Sequence, residues 1–237
     1  MAGGGFSFVQ GIYNNGNSTL ATATYPGTPV SGNLLVCGVF SQTSTTISLT
    51  NWNALPFVTD SSTYGFRMFW RVCPDQLNAS VVASVGSGQW ANVIGEYQMP
   101  QGSMATPVAA AQTNASSASQ PTPTVAIPAG SRSLVVCYSG AKTTLGTVTF
   151  SGETIGGITA TEREDATGTS RTALCLYDIS LPALGGSVAG AATCGQAAVG
   201  AGGIAVFTVP PLPPADLVLG SSEATRRASP PVMPWGF

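Results

Sequence analysis

The feature that most constrains this 237-residue chain is a strand-like stretch that occurs twice. Residues 31–40 read SGNLLVCGVF, and residues 129–138 read AGSRSLVVCY. In both copies a turn that contains glycine is followed by leucine, a second aliphatic residue, valine and cysteine. A short apolar run after a turn signal is typical of a strand buried on both faces. Since Cys37 and Cys137 lie 100 positions apart, we predict two copies of one small β-domain, each built around one of these strands.

Three further blocks recur in the same order. The matched pairs are residues 8–10 with 110–112, residues 64–72 with 170–178, and residues 97–100 with 207–210. Any two β-domains share aliphatic strands and glycine turns, so each block alone is weak, but four blocks in one order favour a duplication. Because the offset grows from 100 at the cysteines to 110 at the last block, we expect insertions in the loops of the second copy.

The periodicity of the chain favours strands throughout. Residues 66–72 alternate with a period of two, and no segment sustains an apolar period of 3.6 residues. We therefore predict an all-β protein made of two tandem antiparallel β-sandwiches, with the jelly roll as one candidate topology. The expected divisions are residues 1–100 as the first domain, 101–124 as a linker with a candidate first strand of the second, 125–210 as the second domain, and 211–237 as an extended C-terminal arm.

Charge is unusually scarce in this sequence. Charged residues make up 8% of the chain, whereas ordinary domains carry about 25%. The formal net charge is −2, and Arg226 with Arg227 forms the one basic pair. This gives no electrostatic footprint for nucleic acid, so we predict no nucleic-acid partner. A neutral polar surface has little like-charge repulsion to keep copies apart, which favours a protein that works in a homo-oligomer or larger assembly.

The residue types exclude several kinds of catalysis. The chain contains no histidine, so triads that use a histidine base are excluded, and neither a Walker loop nor a dinucleotide fingerprint is present. The acidic run at residues 162–165 is interpreted as a solvated hairpin tip rather than a catalytic pair or a Ca²⁺ loop, for which the usual Asp-x-Asp-x-Asp-Gly pattern is missing. We predict no enzyme activity, no catalytic residue, no metal and no cofactor.

Two features bear on the compartment. The five cysteines include no Cys-x-x-Cys pair, and we expect reduced, buried thiols formed in a reducing cytoplasm. Residues 181–214 carry no charge, but the run is rich in alanine and glycine and aligns with sheet in the first copy. We therefore predict strands there rather than a membrane span, and no membrane partner.

Two candidate interaction sites stand out. Residues 210–214 read PPLPP, which indicates a stiff, extended spacer, and the apolar C-terminal tip beyond it would be costly to leave in water. The expected docking side chains of this arm are Pro211, Pro213, Val232, Met233, Trp235 and Phe237, with a disordered end as the alternative. Trp52 and Trp90 lie beside turn residues and form a candidate glycan platform.

The chain resembles the tandem β-sandwich structural proteins of tailed-bacteriophage virions, of the head-decoration or tail and fibre type. The resemblance rests on residues 32–37 and 133–137, on the weakly charged strands around them, and on the closing strands at 96–97 and 206–207. It covers about residues 6–210 and is a style of sequence rather than a diagnostic motif, so it assigns no functional residue.

The resemblance implies a non-enzymatic structural protein of the virion, assembled in the host cytoplasm. Such a protein would decorate or cement the capsid through contacts with the major capsid protein and with copies of itself. The alternative is a glycan-binding or receptor-binding module on a tail fibre or a cell surface.

Overall fold

The computed structural model describes residues 5–42, 46–60, 63–75, 78–143, 147–166, 171–182 and 185–210. The described ranges contain sixteen β-strands and no helix, which confirms the predicted all-β fold. The strands of the first half are β1 (Ser7–Asn17), β2 (Leu20–Thr24), β3 (Leu34–Gln42), β4 (Asn53–Thr59), β5 (Tyr64–Val72), β6 (Ser80–Ser84) and β7 (Gln89–Gln98). Those of the second half are β8 (Val108–Pro121), β9 (Val125–Ile127), β10 (Arg132–Lys142), β11 (Phe150–Ile155), β12 (Ile158–Thr159), β13 (Thr161–Asp165), β14 (Thr172–Leu181), β15 (Gly186–Val188) and β16 (Gly190–Val209).

Both halves use the same antiparallel strand order. The first half forms a sheet in the order β1-β7-β3-β5-β4 and a separate two-stranded ribbon of β2 and β6. The second half repeats this as β8-β16-β10-β14-β13, with β9 and β15 as its ribbon and the β11–β12 hairpin added beside β16. In each half the first strand pairs with the last, as in Greek-key and jelly-roll sandwiches.

The pairing of the central strands follows the sequence repeat. Leu34 in β3 lies opposite Tyr97 in β7, and Leu134 in β10 lies opposite Phe207 in β16. The same pairs were matched in sequence with offsets of 100 and 110. The two predicted central strands, β3 and β10, each occupy the middle of their sheet and are buried along almost their whole length.

The register differs from the sequence alignment at two flanking strands. Cys37 pairs with Phe69 and Cys137 with Tyr177, so β5 and β14 correspond with an offset of 108 rather than the 106 of the alignment. In the first strands, residues 12 and 110 both pair with an isoleucine of the last strand. Strands β1 and β8 therefore correspond with an offset of 98 rather than the 102 of the sequence alignment. The offsets predicted from sequence differ from the observed ones by two and four residues. A shift by an even number of residues keeps every side chain on the same face of the strand, so the apolar pattern does not reveal it.

Strands β8 and β16 are unusually long. Each of them spans positions that are divided between two separate strands in the first half. Ala21 pairs with Ala83 in the first ribbon, and the corresponding residues, Ser119 and Thr193, pair between β8 and β16. The ladder between β8 and β16 is irregular from Thr193 to Gly200, where it passes from ribbon to sheet. Much of the predicted linker at residues 101–124 is therefore the first strand of the second half.

The sheets of the two halves pack face to face. The largest cluster of buried apolar side chains in the described ranges draws on both sheets. From the first half it includes Leu34, Val36, Phe40, Phe66, Met68 and Tyr97, and from the second half Leu134, Val136, Tyr138, Leu174, Leu176 and Phe207. The two tandem sandwiches thus share a core between their main sheets.

Two aromatic residues pack against glycines across this interface. A Cβ at Gly38 would lie 2.5 Å from ring carbons of Tyr138, and a Cβ at Gly140 would lie 2.6 Å from Cδ2 of Phe40. These contacts are closer than any side chain tolerates, so only glycine lets the rings approach the facing strand. Each glycine and its aromatic partner occupy equivalent positions of the two copies, 100 residues apart.

Each half also has a core of its own on the other side of its sheet. In the first half the ribbon of β2 and β6 covers a cluster that includes Cys37, Phe69 and Trp90. In the second half β9 and β15 cover a cluster that includes Cys137 and Tyr177. The result is four layers, ribbon on sheet on sheet on ribbon, and all five cysteines are free and buried in them.

Candidate functional site

A partly buried ion pair of the second half contacts the first half at the edge of the shared core. Arg163 on β13 donates two hydrogen bonds to Asp178 on β14, at 2.7 Å from Nε and 3.0 Å from Nη2. The hydroxyl of Tyr97 in the first half donates to the same carboxylate at 2.7 Å. The guanidinium also lies 4.7 Å above the ring of Phe8. Three donors satisfy this carboxylate, so we interpret the group as a structural clamp rather than a reactive site.

Glu96 is a second fully buried carboxylate with structural partners. It accepts hydrogen bonds from the backbone N–H of Val30 at 2.8 Å, from Asn33 at 2.6 Å, and from the side-chain amide of Gln10. These contacts hold the turn before β3 onto β7. A carboxylate with this many donors is fixed in place and has no free face for a substrate.

The acidic run at residues 162–165 is not the hairpin tip that the sequence suggested. It lies within β13, an edge strand that pairs with β14 and has a bulge between Glu162 and Glu164. The prediction was wrong because a strand at the edge of a sheet tolerates charged side chains that would be excluded from its centre. The strand brings these carboxyl groups beside the β11–β12 hairpin.

Three carboxyl groups from β11 and β13 meet there, and we name Glu153, Glu162 and Asp165 the carboxyl cluster. Glu153 is 7% exposed, and its charge lies close enough to Glu162 to affect the pKa of that residue. Asp165 accepts a hydrogen bond at 3.2 Å from the backbone N–H of Phe150, the first residue of β11. Oε1 of Glu153 and Oδ1 of Asp165 are buried with no hydrogen-bond partner.

The surroundings favour the protonated forms of these groups. Burial, opposed by the bond from Phe150 and reinforced by Glu162 and Glu153, raises the pKa of Asp165 to about 7. Partial burial and the contact with Glu153 raise the pKa of Glu162 above its ordinary value. Burial and the nearby Glu162 likewise raise the pKa of Glu164. Asp165 therefore holds a proton at a pH where a free carboxyl group is ionised.

The geometry of the cluster limits its chemistry. Glycosidases place two carboxyl groups about 5–9.5 Å apart on either side of a sugar, but Glu153 is 7% exposed, which leaves its carboxyl group no open face for a sugar. Burial raises the pKa of the Cys37 and Cys137 thiols, so neither is an activated nucleophile. In the described part of the chain, no three Asp, Glu, Cys or His side chains are placed to hold a metal ion. What the cluster can do is bind and release protons.

The two tryptophans of the candidate glycan platform lie in different surroundings. Trp90 is 4% exposed, packs in the core of the first half, and donates from Nε1 to the hydroxyl of Ser18 at 3.2 Å. Trp52 is half-buried and has the guanidinium of Arg71 5.8 Å from its ring centre. Stacking on a sugar needs an open indole face, which Trp90 does not offer, so the structure does not support the predicted pair.

The predicted docking arm is outside the described residues. This applies to all six of its side chains, Pro211, Pro213, Val232, Met233, Trp235 and Phe237. The preceding strand ends at Val209, and the carbonyl of Pro210 lies 3.5 Å from Nη2 of Arg132 at the end of the sheet where β10 begins.

The described cations point toward the protein itself. Arg67 donates to the carbonyls of Leu55 and Ile47 and lies over two phenylalanine rings, 5.6 and 5.9 Å from their centres. Lys142, the one lysine of the chain, donates to the carbonyl of Thr63 at 2.7 Å. Arg71, Arg132 and Arg163 likewise contact a ring, a carbonyl and a carboxylate. Sequence composition alone did not reveal that five of the six described cations make internal contacts.

The outer face of the ribbon of β2 and β6 is an example of the uncharged surface of this protein. Leu20, Thr24, Val82 and Ser84 are exposed there, and neither strand carries a charged residue. Ladder contacts within the ribbon include a 2.8 Å hydrogen bond between the hydroxyls of Thr24 and Ser80. This face is neutral and mixed in polarity.

Comparison with known proteins adds no relative. Neither a protein-family model nor a curated protein sequence matches the chain. Across the ranges that the structure describes, no helix is long and apolar enough to cross a membrane.

Proposed function

We propose that this chain is a non-enzymatic structural protein of a tailed-phage virion, which decorates or cements the capsid through protein–protein contacts. The observation that carries the proposal is that five of the six described cations contact rings, carbonyls or a carboxylate of the protein itself, which leaves little charge on the strand faces outside the acidic edge strand β13. A duplicated sheet scaffold with neutral outer faces suits repeated contacts with a lattice and with other copies of the chain.

The neutral surface favours association between copies rather than recognition of one ligand. Neutral surfaces lack the long-range repulsion that keeps most soluble proteins apart. On the ribbon of β2 and β6, the exposed Leu20 and Val82 would add apolar contact area between polar hydroxyl groups. Contacts of this kind gain little from charge, so the proposed assembly should depend weakly on salt.

The C-terminal segment is the proposed anchor to the capsid. Residues 210–214 are proline-rich, and the last six residues include Val232, Met233, Trp235 and Phe237. Burying one large apolar side chain contributes about 1.5–3 kcal/mol, so four of them supply enough free energy for a stable attachment after ordering costs are subtracted.

The test uses undecorated capsids from the phage that encodes the chain. The full chain should sediment with the capsids, and a variant with Val232, Met233, Trp235 and Phe237 replaced by serine should stay in the supernatant. A matched variant, Ser221→Ala with Ser222→Ala, should bind like the full chain. If the serine variant binds fully, the arm is not the anchor, and if the full chain never binds capsids, the decoration proposal is wrong.

The second candidate is a glycan-binding or receptor-binding module of a tail fibre or cell surface. Trp52 is the observation in its favour, because its side chain is only partly buried in the turn that precedes β4. A glycan array probed with the full chain tests it: binding that is lost in Trp52→Ala would favour this function, whereas an array without hits would exclude it.

A further inference from the structure

Two arginines of β5 lie on one face of the sheet but differ in their partners. Arg67 and Arg71 are four positions apart, and Phe69 between them packs under the β2–β6 ribbon, so all three side chains lie on the ribbon side. Arg67 donates to the carbonyls of Leu55 and Ile47 at 3.3 and 3.1 Å. Among the residues that the structure describes, Arg71 has no hydrogen-bond acceptor and no ion-pair partner, and its Nε is buried.

The guanidinium of Arg71 is costly for the folded protein to leave in this state. It carries five N–H donors and stays charged at any ordinary pH, so it cannot avoid the cost by losing a proton. The side chain is partly buried, and the Nε atom is closed to solvent with no acceptor in the described ranges. A buried donor without an acceptor loses its bond to water and gains nothing in return. An acceptor from outside the chain would remove this cost.

The indole of Trp52 holds this guanidinium at the edge of the sheet. Asn53 pairs with Trp70, so the antiparallel register places Trp52 opposite Arg71, and Cζ of Arg71 lies 5.8 Å from the ring centre. This distance is within the range of a cation–π contact. Trp52 also packs against the core under the ribbon, and the preceding Asn51 has a left-handed φ of 64°. The turn and the core contact fix the indole, and the indole in turn positions Arg71.

No carboxylate of the described residues pairs with Arg71. The ion pair that the described ranges contain is that of Arg163 and Asp178, in the second half. Asp75, the acidic residue closest to Arg71 in sequence, accepts from the hydroxyl of Ser31 at 2.7 Å. Charged residues make up 8% of the chain, so few of its groups could neutralise this cation. A ligand would supply the acceptor that these residues do not.

The side chains of Arg71, Trp52 and the turn before Trp52 indicate which ligand fits. A guanidinium binds a carboxylate through two parallel hydrogen bonds, and an indole offers apolar surface for the C–H groups of a sugar ring. Thr50 and Asn51 in the turn are exposed, and they provide a hydroxyl and an amide for sugar hydroxyl groups. An acidic sugar presents a carboxylate, C–H groups and hydroxyls within one ring, whereas an acidic protein side chain would use the guanidinium alone.

We propose that Arg71 and Trp52 form a binding site for an acidic sugar, in which the guanidinium binds the carboxylate and the indole contacts the ring. The proposal rests on the glycan-binding candidate function and names the class of glycan. It does not involve the C-terminal segment, so attachment to a capsid and binding of the sugar are separate properties of the chain. Neutral sugars lack the group that Arg71 needs and should bind much more weakly.

The test is NMR spectroscopy of the arginine Nε–Hε groups in the full chain, which has seven arginines. Glucuronic acid, galacturonic acid and N-acetylneuraminic acid are titrated separately, with glucose, galactose, acetate and a glutamate-rich peptide as controls. At least one acidic sugar should shift the Arg71 signal in a saturable way. It should bind about tenfold or more tightly than each control, because only the acidic sugar offers the carboxylate and the ring together.

Three variants locate the binding. Arg71→Lys should abolish it, followed through the indole N–H signal of Trp52, because lysine keeps the charge but lacks the planar fork. Trp52→Ala should weaken it, followed through the Arg71 signal. The matched control is Arg171→Lys, at an exposed position of the second half, and it should bind as the unaltered chain does.

The absence of a saturable shift with all three acidic sugars would refute the site. Equal binding of acetate would show a carboxylate site that does not recognise sugar, and tighter binding of the peptide would identify a protein contact instead. Equal binding of glucose or galactose would refute the role of Arg71 but leave the glycan-binding function standing, so the two failures are distinguishable. The titration of the unaltered chain decides these points even if a variant does not fold.

Discussion

The close approach of Phe40 to Gly140 gives the sharpest test of the shared core. In Gly140→Ala the new methyl carbon would lie 2.6 Å from Cδ2 of Phe40, about 1 Å inside an ordinary carbon–carbon contact. The ring is fully buried and has no path to solvent. Overpacking of this kind costs about 1–3 kcal/mol, and the stiffer unfolded chain of the alanine variant offsets about 0.4–1 kcal/mol of it. We expect a net loss of about 1–2 kcal/mol.

A double-mutant cycle separates this clash from general damage to the strand. Phe40→Leu alone should cost about 1–2 kcal/mol through the cavity that it leaves. In the double variant the smaller leucine gives room to the new methyl group, so the combined loss should be smaller than the sum by about 1 kcal/mol. Gly27→Ala is the matched control, because its Cβ would meet only the end of the Gln10 side chain, at 3.4 Å.

The assay is urea unfolding of each variant, followed by circular dichroism and tryptophan fluorescence together. Coincident curves establish that unfolding is one transition and that the free energies are comparable. If Gly140→Ala and Phe40→Leu add to within about 0.5 kcal/mol, the ring and the glycine do not touch, and the face-to-face packing of the two halves is wrong.

Three other predictions concern charge and thiols. Asp178→Asn should destabilise the chain by about 2 kcal/mol in urea unfolding, because Arg163 loses its counter-charge in a partly exposed site; an unchanged midpoint would contradict the clamp. Asp165→Asn should stabilise the chain by about 1 kcal/mol at pH 8, after allowance for solvent screening, and should leave its stability unchanged at pH 4. The reason is that the raised pKa of Asp165 makes its ionised form unfavourable in the folded state, and this form is present only at the higher pH. Equal effects at both pH values would refute this prediction. None of the five buried thiols should react with a disulfide reagent in the native state and all should react in urea, so a native cysteine that reacts at once would contradict the packing.

The central strands were predictable because a strand buried on both faces consists almost entirely of apolar residues. A run such as residues 34–37 has no polar residue, and its recurrence 100 positions later located the middle of both sheets. The flanking strands were found but set in the wrong register, since the alternation that identified them repeats every two residues. The structure supplied the register through backbone pairing, which side-chain types do not encode.

The packing of the halves against each other has a signature in the sequence, at the glycines inside the central strands. Glycine in the interior of a buried strand often marks the close approach of another group. Aligned by the repeat, Gly38 faces Tyr138 and Phe40 faces Gly140, so large and small residues exchange places between the copies. Such an exchange is expected where two equivalent surfaces meet around an approximate two-fold axis.

The carboxyl cluster could not be found from sequence in the same way. Glu153 and Glu162 are nine residues apart and are separated by a hairpin turn, and a run of acidic residues is usually a solvated surface. Only the folded chain brings β11 and β13 together, where the backbone N–H of Phe150 bonds to Asp165. The site therefore depends on tertiary structure, whereas the central strands depend on local composition.

The composition of purified virions tests the proposed function most directly. If the chain is a virion protein of a tailed phage, as we propose, mass spectrometry of that phage's particles should detect it at a copy number comparable with that of the major capsid protein. Particles from a phage without the gene should lack the corresponding surface density in electron micrographs. If the chain is produced in infected cells but is absent from purified particles, it is not a structural protein of the virion.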